Sequence, residues 1–170
     1  MTPFIIAALS ADGYIARDSS APSTVWTSKE DKKRFVEITK RARVVVMGQN
    51  TWKTFGGRAL KDRLNIVYSP ERLPDMAPEV EITSKTPADL IAELAFRGFT
   101  EVAICGGSQI YTMFMQAGVV KRLYLTIEPV LFGDGIRLFK APLDYKLKLV
   151  DDQKTEGGTR LVEYEVVYSS

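Results

Sequence analysis

The sequence contains no histidine and a single cysteine, Cys105, in 170 residues. The missing histidine excludes Ser-His-Asp and Cys-His catalytic sites and any histidine-ligated metal. One cysteine allows neither an intrachain disulfide nor a cysteine-based zinc or iron–sulfur site, so no bound metal is expected. Acid–base chemistry near neutral pH is left to Asp, Glu, Tyr, Lys, water or a cofactor. An enzyme of this composition is expected to let a cofactor carry the difficult step.

A strong charge of one sign and long hydrophobic segments are also lacking. The net charge is +2, from 23 basic and 21 acidic residues, which gives no bias toward nucleic acid or a membrane surface. No apolar run approaches the ~20 residues of a membrane span, and no signal peptide is visible. We therefore expect a cytoplasmic protein without nucleic-acid or membrane partners. Its length predicts one domain over residues 1–170.

Alternating strand and helix patterns predict the architecture. Short apolar runs are typical of buried strands, and amphipathic runs behind capping residues are typical of helices. The predicted strands span residues 4–9, 44–47, 64–68, 80–83, 102–105 and 123–127. The predicted helices span Ser28–Arg41, Asn50–Phe55, 87–97 behind a Thr86 cap, and 108–117. Residues 10–27 are predicted to be a long functional loop.

The end of the chain reads differently. Residues 147–150 and 161–168 flank Gly157-Gly158, which predicts an antiparallel hairpin. Helices between the earlier strands imply parallel pairing through crossovers. The predicted fold is a single α/β domain whose mixed, mostly parallel sheet is flanked by helices and ends in this C-terminal antiparallel hairpin. Ligands of such sheets bind at the carboxyl ends of the strands.

Two junctions between a strand and a helix contain glycine. Gly106-Gly107 allows close approach of a ligand, and the helix behind presents free N–H groups to a phosphate, although a tight turn explains the pair equally well. Gly48 ends another strand; Asn50 and Thr51 then either donate to a phosphate or Asn50 simply caps the helix. Two such junctions in one small domain favour a dinucleotide.

Two charged residues have alternative interpretations. Asp31 heads the apolar stripe of its helix, either as the capping-box acid for Ser28 or as a carboxylate that binds a planar nitrogenous ligand. Arg63 directly precedes a predicted strand. It is either a solvated charge or a side chain that binds a substrate carboxylate through two hydrogen bonds. Cys105 is interpreted as a small apolar filler.

In order and spacing, these motifs resemble dihydrofolate reductase from Phe4 to about Phe139. The best single matches are Gly106-Gly107-x-x-Ile110-Tyr111 and Met47-Gly48-x-x-Thr51-Trp52. Four further segments match in order: Ile6-Ala7-Ala8-Leu9 with Asp12-Gly13-x-Ile15, Trp26-x4-Asp31-x3-Phe35, Arg63-x-Asn65-Ile66-Val67, and Leu123-Tyr124-Leu125-Thr126.

The resemblance implies NADPH-dependent reduction of 7,8-dihydrofolate to tetrahydrofolate. Asp31 would bind the pteridine and promote N5 protonation through water, which Trp26 would order, while Thr126 would support Asp31 through a water-mediated hydrogen bond. Arg63 would hold the glutamate carboxylate. The remaining expected folate contacts are Ile6, Phe35, Phe55 and Leu60.

The same resemblance implies a dinucleotide site. Ala8 and Ile15 would contact the nicotinamide, with Tyr111 beside it, and residues 10–25 would form a mobile lid. The expected cradle consists of Gly48, Asn50, Thr51, Ser69, Gly106, Gly107, Ser108, Gln109 and Ile110. A monomer is expected, as is common in the family.

Some positions depart from the family pattern. Gln49, Pro70 and Gln109 place no positive charge where the family commonly holds the 2′-phosphate of NADPH, and Arg72 and Lys53 are the substitutes that the sequence offers. Lys32 stands at a position that is an apolar folate contact in the family.

A second resemblance is to the riboflavin-pathway pyrimidine reductases, which reduce a ribosylated pyrimidine with NADPH. It rests on Leu131-Phe132-Gly133-Asp134-Gly135-Ile136-x-Leu138-Phe139 and Ser10-x-Asp12-Gly13-x-Ile15-Ala16, together with Trp26-x-Ser28. A reductase of that kind is the second hypothesis. A nucleotide-binding protein without turnover is the third, from a different functional class.

Overall fold

The computed structural model describes residues 1–168 and contains ten strands and four α-helices within that range. The strands are β1 (Thr2–Ser10), β2 (Tyr14–Ala16), β3 (Val44–Gly48), β4 (Leu64–Tyr68), β5 (Glu81–Thr83), β6 (Glu101–Ile104), β7 (Arg122–Glu128), β8 (Ile136–Arg137), β9 (Lys146–Lys154) and β10 (Arg160–Val167). The helices are α1 (Lys29–Ala42), α2 (Gln49–Thr54), α3 (Pro87–Phe96) and α4 (Ser108–Gln116).

Eight strands form one sheet in the order β5-β4-β3-β6-β1-β7-β10-β9. Neighbours from β5 to β7 pair in parallel, whereas β10 pairs antiparallel with both β7 and β9. This topology confirms the predicted mostly parallel sheet with a C-terminal antiparallel hairpin. The first hairpin strand is longer than predicted, because β9 is exposed along its whole length and carries few apolar residues to mark it, whereas β10 has the predicted length.

Both faces of the central sheet are buried under helices. Successive residues of β1 alternate between the two faces, and each face has its own apolar cluster. Leu94 of α3 and Phe114 of α4 pack into one cluster, and Trp52 of α2 packs into the other. Strands covered on both faces read as continuous apolar runs, which explains why the central ones are visible in the sequence. No helix among residues 1–168 is long and apolar enough to cross a membrane.

Capping residues set two of the helix starts as predicted. The Ser28 hydroxyl accepts a hydrogen bond from the Asp31 N–H at 3.1 Å, and the Thr86 hydroxyl accepts one from the Asp89 N–H at 3.2 Å. The interpretation of Asn50 as the cap of α2 is wrong. Gly48 occupies the extended capping position and the helix begins at Gln49, so Asn50 lies inside the first turn.

The prediction that residues 10–27 are a simple loop is also wrong. This lid segment, residues 10–27, contains β2 and a 3-10 turn at Ser23–Val25, and β2 pairs antiparallel with β8. Strands of two or three residues are too short to leave a periodic pattern. Gly135 permits the pairing: its φ is +152°, and a Cβ there would lie 2.3 Å from the Ala16 carbonyl oxygen.

Candidate active site

A cavity of about 680 Å³ opens at the carboxyl ends of β1, β3 and β6. The three strands end together because they are parallel neighbours, and the Gly48 N–H donates to the Gly106 carbonyl at 2.7 Å where β3 and β6 leave the sheet. The volume lies in the range typical of small-molecule sites. The lid segment and α1 close its sides.

Most of the residues predicted for the site line this one cavity. Trp26, Thr126 and Ser69 are the predicted site residues that do not. The predicted residues that do line it are Ile6, Ala8, Ile15, Asp31, Phe35, Gly48, Asn50, Thr51, Phe55, Leu60, Arg63, Gly106, Gly107, Ser108, Gln109, Ile110 and Tyr111.

Asp31 lines the cavity from the first turn of α1. Burial raises the pKa of its carboxyl above the ordinary value, a hydrogen bond from Thr126 opposes that effect, and the negative charge of Glu128 adds to it. Arg34 and Lys32 lower the pKa less strongly. Thr126 is almost fully buried behind Asp31, which explains why it supports the carboxyl without lining the cavity. Asp31 is therefore a carboxyl that takes up a proton more readily than an exposed one.

The backbone around Asp31 resolves its two interpretations. A capping-box acid accepts a hydrogen bond from the backbone N–H of the capping residue. Here the Ser28 N–H donates to Glu128 Oε1 at 2.8 Å, and the Ser28 hydroxyl donates to the same oxygen at 2.7 Å. Glu128 thus takes the partner that a capping-box Asp31 would need, while the Asp31 carboxyl faces the cavity.

Arg63 also lines the cavity and contacts Thr39, about two helical turns along α1 from Asp31, so the two residues mark two ends of the site. Its Nε donates to the Lys61 carbonyl and its Nη1 to the Thr39 hydroxyl, each at 2.8 Å. The Asn65 side chain accepts from the Leu60 N–H at 2.9 Å and donates to the Arg63 carbonyl at 2.8 Å. These bonds fix the direction of the guanidinium, and Nη2 forms no hydrogen bond with any of residues 1–168. Arg63 is therefore a half-buried, oriented cation and not a freely solvated one.

The wall between the two ends is apolar. The rings of Phe35 and Phe55 lie 5.9 Å apart at a tilt of 30°, and Leu60 lies beside them on the lining. The exposed Lys32 adds a second cation to the rim of this wall. The two phenyl rings are too close to admit a group between them, so they form an apolar wall against which a flat aromatic group can pack, and an anionic group can bind the neighbouring cations.

The junction between β6 and α4 is the part of the cavity suited to a phosphate. Gly106 has a φ of +107°, and a Cβ there would approach the Tyr111 ring to 3.1 Å. The Tyr111 hydroxyl donates to the Ile6 carbonyl at 2.8 Å, which locks the ring under the turn. Ser108 opens α4, and its hydroxyl is buried without a hydrogen-bond partner among residues 1–168. An unpaired hydroxyl at a helix N-terminus that borders a cavity is a donor for a bound anion.

The two cations that the sequence offers for the 2′-phosphate, Arg72 and Lys53, are not part of the cavity. Gln49 and Gln109 line the cavity, but Arg72 and Lys53 do not. The Arg72 guanidinium instead donates to the carbonyls of Val80, Ala77 and Pro78 at 2.8, 2.8 and 3.1 Å. Arg72 is thus occupied in bracing the segment before β5.

The lid segment is tied to residues 131–137. The Asp12 carboxylate accepts hydrogen bonds from the Ser10 hydroxyl and from the N–H groups of Phe132 and Gly133, and these bonds lower its pKa to about 2. Trp26 packs edge-on against Phe132, with ring centroids 5.0 Å apart, instead of lining the cavity. The two motifs of the riboflavin-pathway resemblance therefore meet each other in the structure.

Sequence reasoning missed several lining residues, two of them polar and informative, and also one acid next to the site. Thr27 lines the cavity with a buried hydroxyl that lacks a partner among residues 1–168, and Lys140 reaches the lining from beyond β8. Glu128 is buried and bound to Ser28, one hundred positions away. The one sequence signal for Glu128 is an acidic residue directly after the mostly apolar run 123–127. No neighbouring residue identifies Ser28 as its partner.

Cys105 also lines the cavity, at the end of β6. Burial raises the pKa of its thiol to about 12, so the thiol stays protonated at neutral pH. The Cys105 thiol donates a weak hydrogen bond to the Ala103 carbonyl, with a sulfur–oxygen distance of 3.6 Å. A protonated thiol held in this way is a poor nucleophile, which agrees with its interpretation as a filler.

The chain was compared with known families and structures. The family model described as dihydrofolate reductase matches residues 3–150. A putative riboflavin biosynthesis protein from Shewanella sp. PV-4 has 22% identity and a TM-score of 0.81, with 99% of this chain and 100% of that one covered. A pyrimidine reductase-like protein from Corynebacterium diphtheriae has 18% identity and a TM-score of 0.77, with coverages of 99% and 92%.

A third solved structure is larger than this chain. It is a diaminohydroxyphosphoribosylaminopyrimidine deaminase/5-amino-6-(5-phosphoribosylamino)uracil reductase from Thermotoga maritima, with 16% identity and a TM-score of 0.76. The alignment covers 98% of this chain but 56% of that protein. At these identities the structural neighbours show the fold.

Proposed function

The chain belongs to the dihydrofolate reductase family, and from that premise we propose that it is an NADPH-dependent reductase of a pterin or of a ribosylated pyrimidine. The observation that carries this proposal is the Asp31 carboxyl, which lies in the same cavity as the Gly106-Gly107 turn and has a raised pKa. A proton donor and a dinucleotide cradle that share one cavity fit a reduction by hydride and proton.

The cradle fits a dinucleotide phosphate. The unpaired Ser108 hydroxyl lies at the start of α4, where free N–H groups and the helix dipole favour an anion. Gly107 lies beside the Thr51 hydroxyl, and a Cβ on Gly107 would lie 3.4 Å from it. Ser108, Thr51 and the glycine turn would hold the phosphates. Bound NADPH supplies the hydride.

The remaining chemistry belongs to the chain. Reduction adds a hydride to carbon and a proton to the neighbouring nitrogen, so NADPH, one proton and the substrate give NADP⁺ and the reduced product. In the proposed mechanism, neutral Asp31 hydrogen-bonds the heterocycle and passes the proton through water. A hydrogen bond from Thr126 would support the Asp31 carboxyl, and the lid segment, which borders the cavity, would limit the access of bulk water.

Two substrates of this class remain candidates, and each is favoured by a specific observation. A ribosylated pyrimidine is supported by the solved structures, whose names refer to riboflavin biosynthesis or pyrimidine reduction. It is also supported by the contact between the Asp12 and Phe132 motifs. Arg63 and Lys32 would then bind its phosphate. The comparisons favour this substrate at least as strongly as dihydrofolate.

Dihydrofolate is supported by the family match and by the shape of the wall. An aromatic spacer can pack against the apolar wall that Phe35 and Phe55 form, and a carboxylate fits the oriented guanidinium of Arg63. Both candidate substrates would present a nitrogen-containing heterocycle to Asp31. The substrate is therefore decided at the Arg63 end.

A spectrophotometric assay tests the proposal. NADPH oxidation is followed with dihydrofolate and, separately, with the ribosylated pyrimidine, and both assays are repeated with NADH. We expect turnover of one substrate well above background. Complementation of a riboflavin auxotroph but not a thymidine auxotroph selects the pyrimidine, and the reverse selects dihydrofolate. Coenzyme binding without turnover of either substrate would contradict the proposal and favour a nucleotide-binding protein.

A further inference from the structure

Glu128 is a buried carboxylate without a cationic partner among residues 1–168. It ends β7 with 3% of its surface exposed and takes part in none of the ion pairs within that range. Its Oε1 accepts two hydrogen bonds from Ser28, and its Oε2 accepts one from the Thr159 hydroxyl at 2.7 Å. Burying a carboxylate without a cationic partner costs free energy, which three hydrogen bonds offset only in part. The presence of Glu128 at this position therefore calls for an explanation beyond packing.

The Ser28 hydroxyl connects Glu128 to Asp31. A hydroxyl has one proton to donate, and here that proton goes to Glu128 Oε1. Its oxygen is then turned to accept the Asp31 N–H at 3.1 Å. Glu128 thus fixes the rotation of the hydroxyl that caps α1. The chain of contacts runs from the hairpin turn at Thr159, through Glu128 and Ser28, to the backbone of Asp31.

We propose that Glu128 is the positioning residue of the site in two ways: it caps the start of α1 in place of Asp31, which leaves the Asp31 carboxyl free for the cavity, and its negative charge acts on that carboxyl. In an ordinary capping box the acid three residues after the capping serine accepts the serine N–H. Asp31 stands at that position, and Glu128 accepts that N–H in its stead. The inference rests on the proposed reductase function for its kinetic consequences only.

The charge of Glu128 has a second effect at the same place. The charged and titratable groups around Asp31 are Glu128 from β7, Lys32 and Arg34 from α1, and Tyr111 from α4. Arg34 is held away from a tight pair by donating to the carbonyls of Leu125 and Val162 at 3.0 and 2.9 Å. The negative charge of Glu128 favours the protonated form of Asp31, which is the form that a proton donor needs.

The test is the Glu128→Gln variant, which keeps the shape and can keep the hydrogen bonds, because the Thr159 hydroxyl can rotate to accept. The pKa of Asp31 is measured by ¹³C-carboxyl NMR, assigned with Asp31→Asn, in the full chain. We expect the pKa to fall and kcat at neutral pH to drop roughly two- to tenfold, since less Asp31 is protonated. The KM for the coenzyme is expected to stay unchanged.

Glu101→Gln is the matched control. Glu101 pairs with Arg41 near the opposite end of α1, so this variant removes an equal charge and a contact to the same helix. The pKa of Asp31 is expected to stay as in the wild type. An unchanged pKa in Glu128→Gln, or an equal fall in Glu101→Gln, would overturn the proposal. The NMR measurement needs no substrate, so a failure of the reductase assay is distinguishable from a failure of this inference.

A second pair of variants covers the case in which Glu128→Gln does not fold. Ser28→Ala removes the acceptor of the Asp31 N–H, and Ser28→Thr restores a capping hydroxyl. We expect hydrogen exchange at the Asp31 amide to be faster in Ser28→Ala and to return toward the wild-type rate in Ser28→Thr. Equal exchange rates in all three proteins would overturn the proposal.

Discussion

The two ends of the cavity are held by different kinds of contact. Asp31 is positioned by buried side chains that are distant in sequence, since Ser28 and Glu128 are 100 residues apart and Glu128 and Thr159 are 31 apart. The Arg63 guanidinium is positioned by one contact within its own loop, to the Lys61 carbonyl two residues away, and by one contact to the Thr39 hydroxyl of α1, 24 residues away. One substitution in a local loop changes recognition without disturbing the core. The Asp31 end is therefore suited to a shared chemistry, and the Arg63 end to a choice of substrate.

The largest effect is expected from Asp31→Asn. Asparagine keeps the shape but cannot supply a proton, and general acid catalysis typically contributes about 10²- to 10⁴-fold. We expect kcat to fall by about that range with whichever substrate the wild type reduces. Asp144→Asn, an exposed aspartate that does not line the cavity, is the control and should keep full activity. If the activity of Asp31→Asn stays within threefold of the wild type, Asp31 is not the proton donor and the proposed division between chemistry and recognition is wrong.

Arg63→Ala tests the other end. A charge-assisted hydrogen bond to an anionic tail is lost, so we expect KM for the substrate to rise about 10- to 100-fold while kcat changes little. Steady-state kinetics with Lys61→Ala, an exposed neighbour outside the lining, provide the control. If kcat falls as much as in Asp31→Asn, recognition and chemistry are not separated along the cavity.

Gln49→Arg introduces a positive charge away from both Asp31 and Arg63, so it tests the coenzyme site separately from the substrate site. Gln49 lies at the start of α2 on the cavity lining, where the sequence pattern predicts the 2′-phosphate. An added guanidinium should tighten NADPH about 10-fold and leave NADH unchanged, because only NADPH offers that phosphate. The ratio of the two KM values is the measurement. An equal response of both coenzymes would show that Gln49 does not face the 2′-phosphate.

The smallest expected effect is on the stability of the fold. We expect Asp31→Asn to raise it and Arg63→Ala to lower it. Burial raises the pKa of Asp31, so its ionisation costs folded-state stability as pH rises from the unfolded pKa through the raised folded one. Asn cannot ionise, so Asp31→Asn should have a higher Tm than the wild type at pH 7, with the gap closing below about pH 4. Arg63→Ala loses two hydrogen bonds and should be less stable by about 1–2 kcal/mol. Thermal unfolding across this pH range measures both.

The sequence was sufficient for the parallel strands, and most of the residues that it predicted for the site line one cavity. Strands such as β3 and β6 are apolar on both faces, and a parallel sheet brings their carboxyl ends to one edge. Whatever depends on contacts between distant segments was out of reach. Trp26 was expected beside the pocket but packs on Phe132, and Glu128 carried no mark of its bond to Ser28. The pairing of β2 with β8 was hidden because so few residues take part in it.

The dependence of the reduction rate on pH, compared between the wild type and Asp31→Asn, tests the central claim most directly. Single-turnover NADPH oxidation with saturating substrate reports the hydride step without product release. In the wild type the rate should be high while Asp31 is protonated and should fall as pH rises through its raised pKa. In Asp31→Asn the rate should be low and independent of pH over the same range. The same falling profile in both proteins would contradict the assignment of Asp31 as the proton donor.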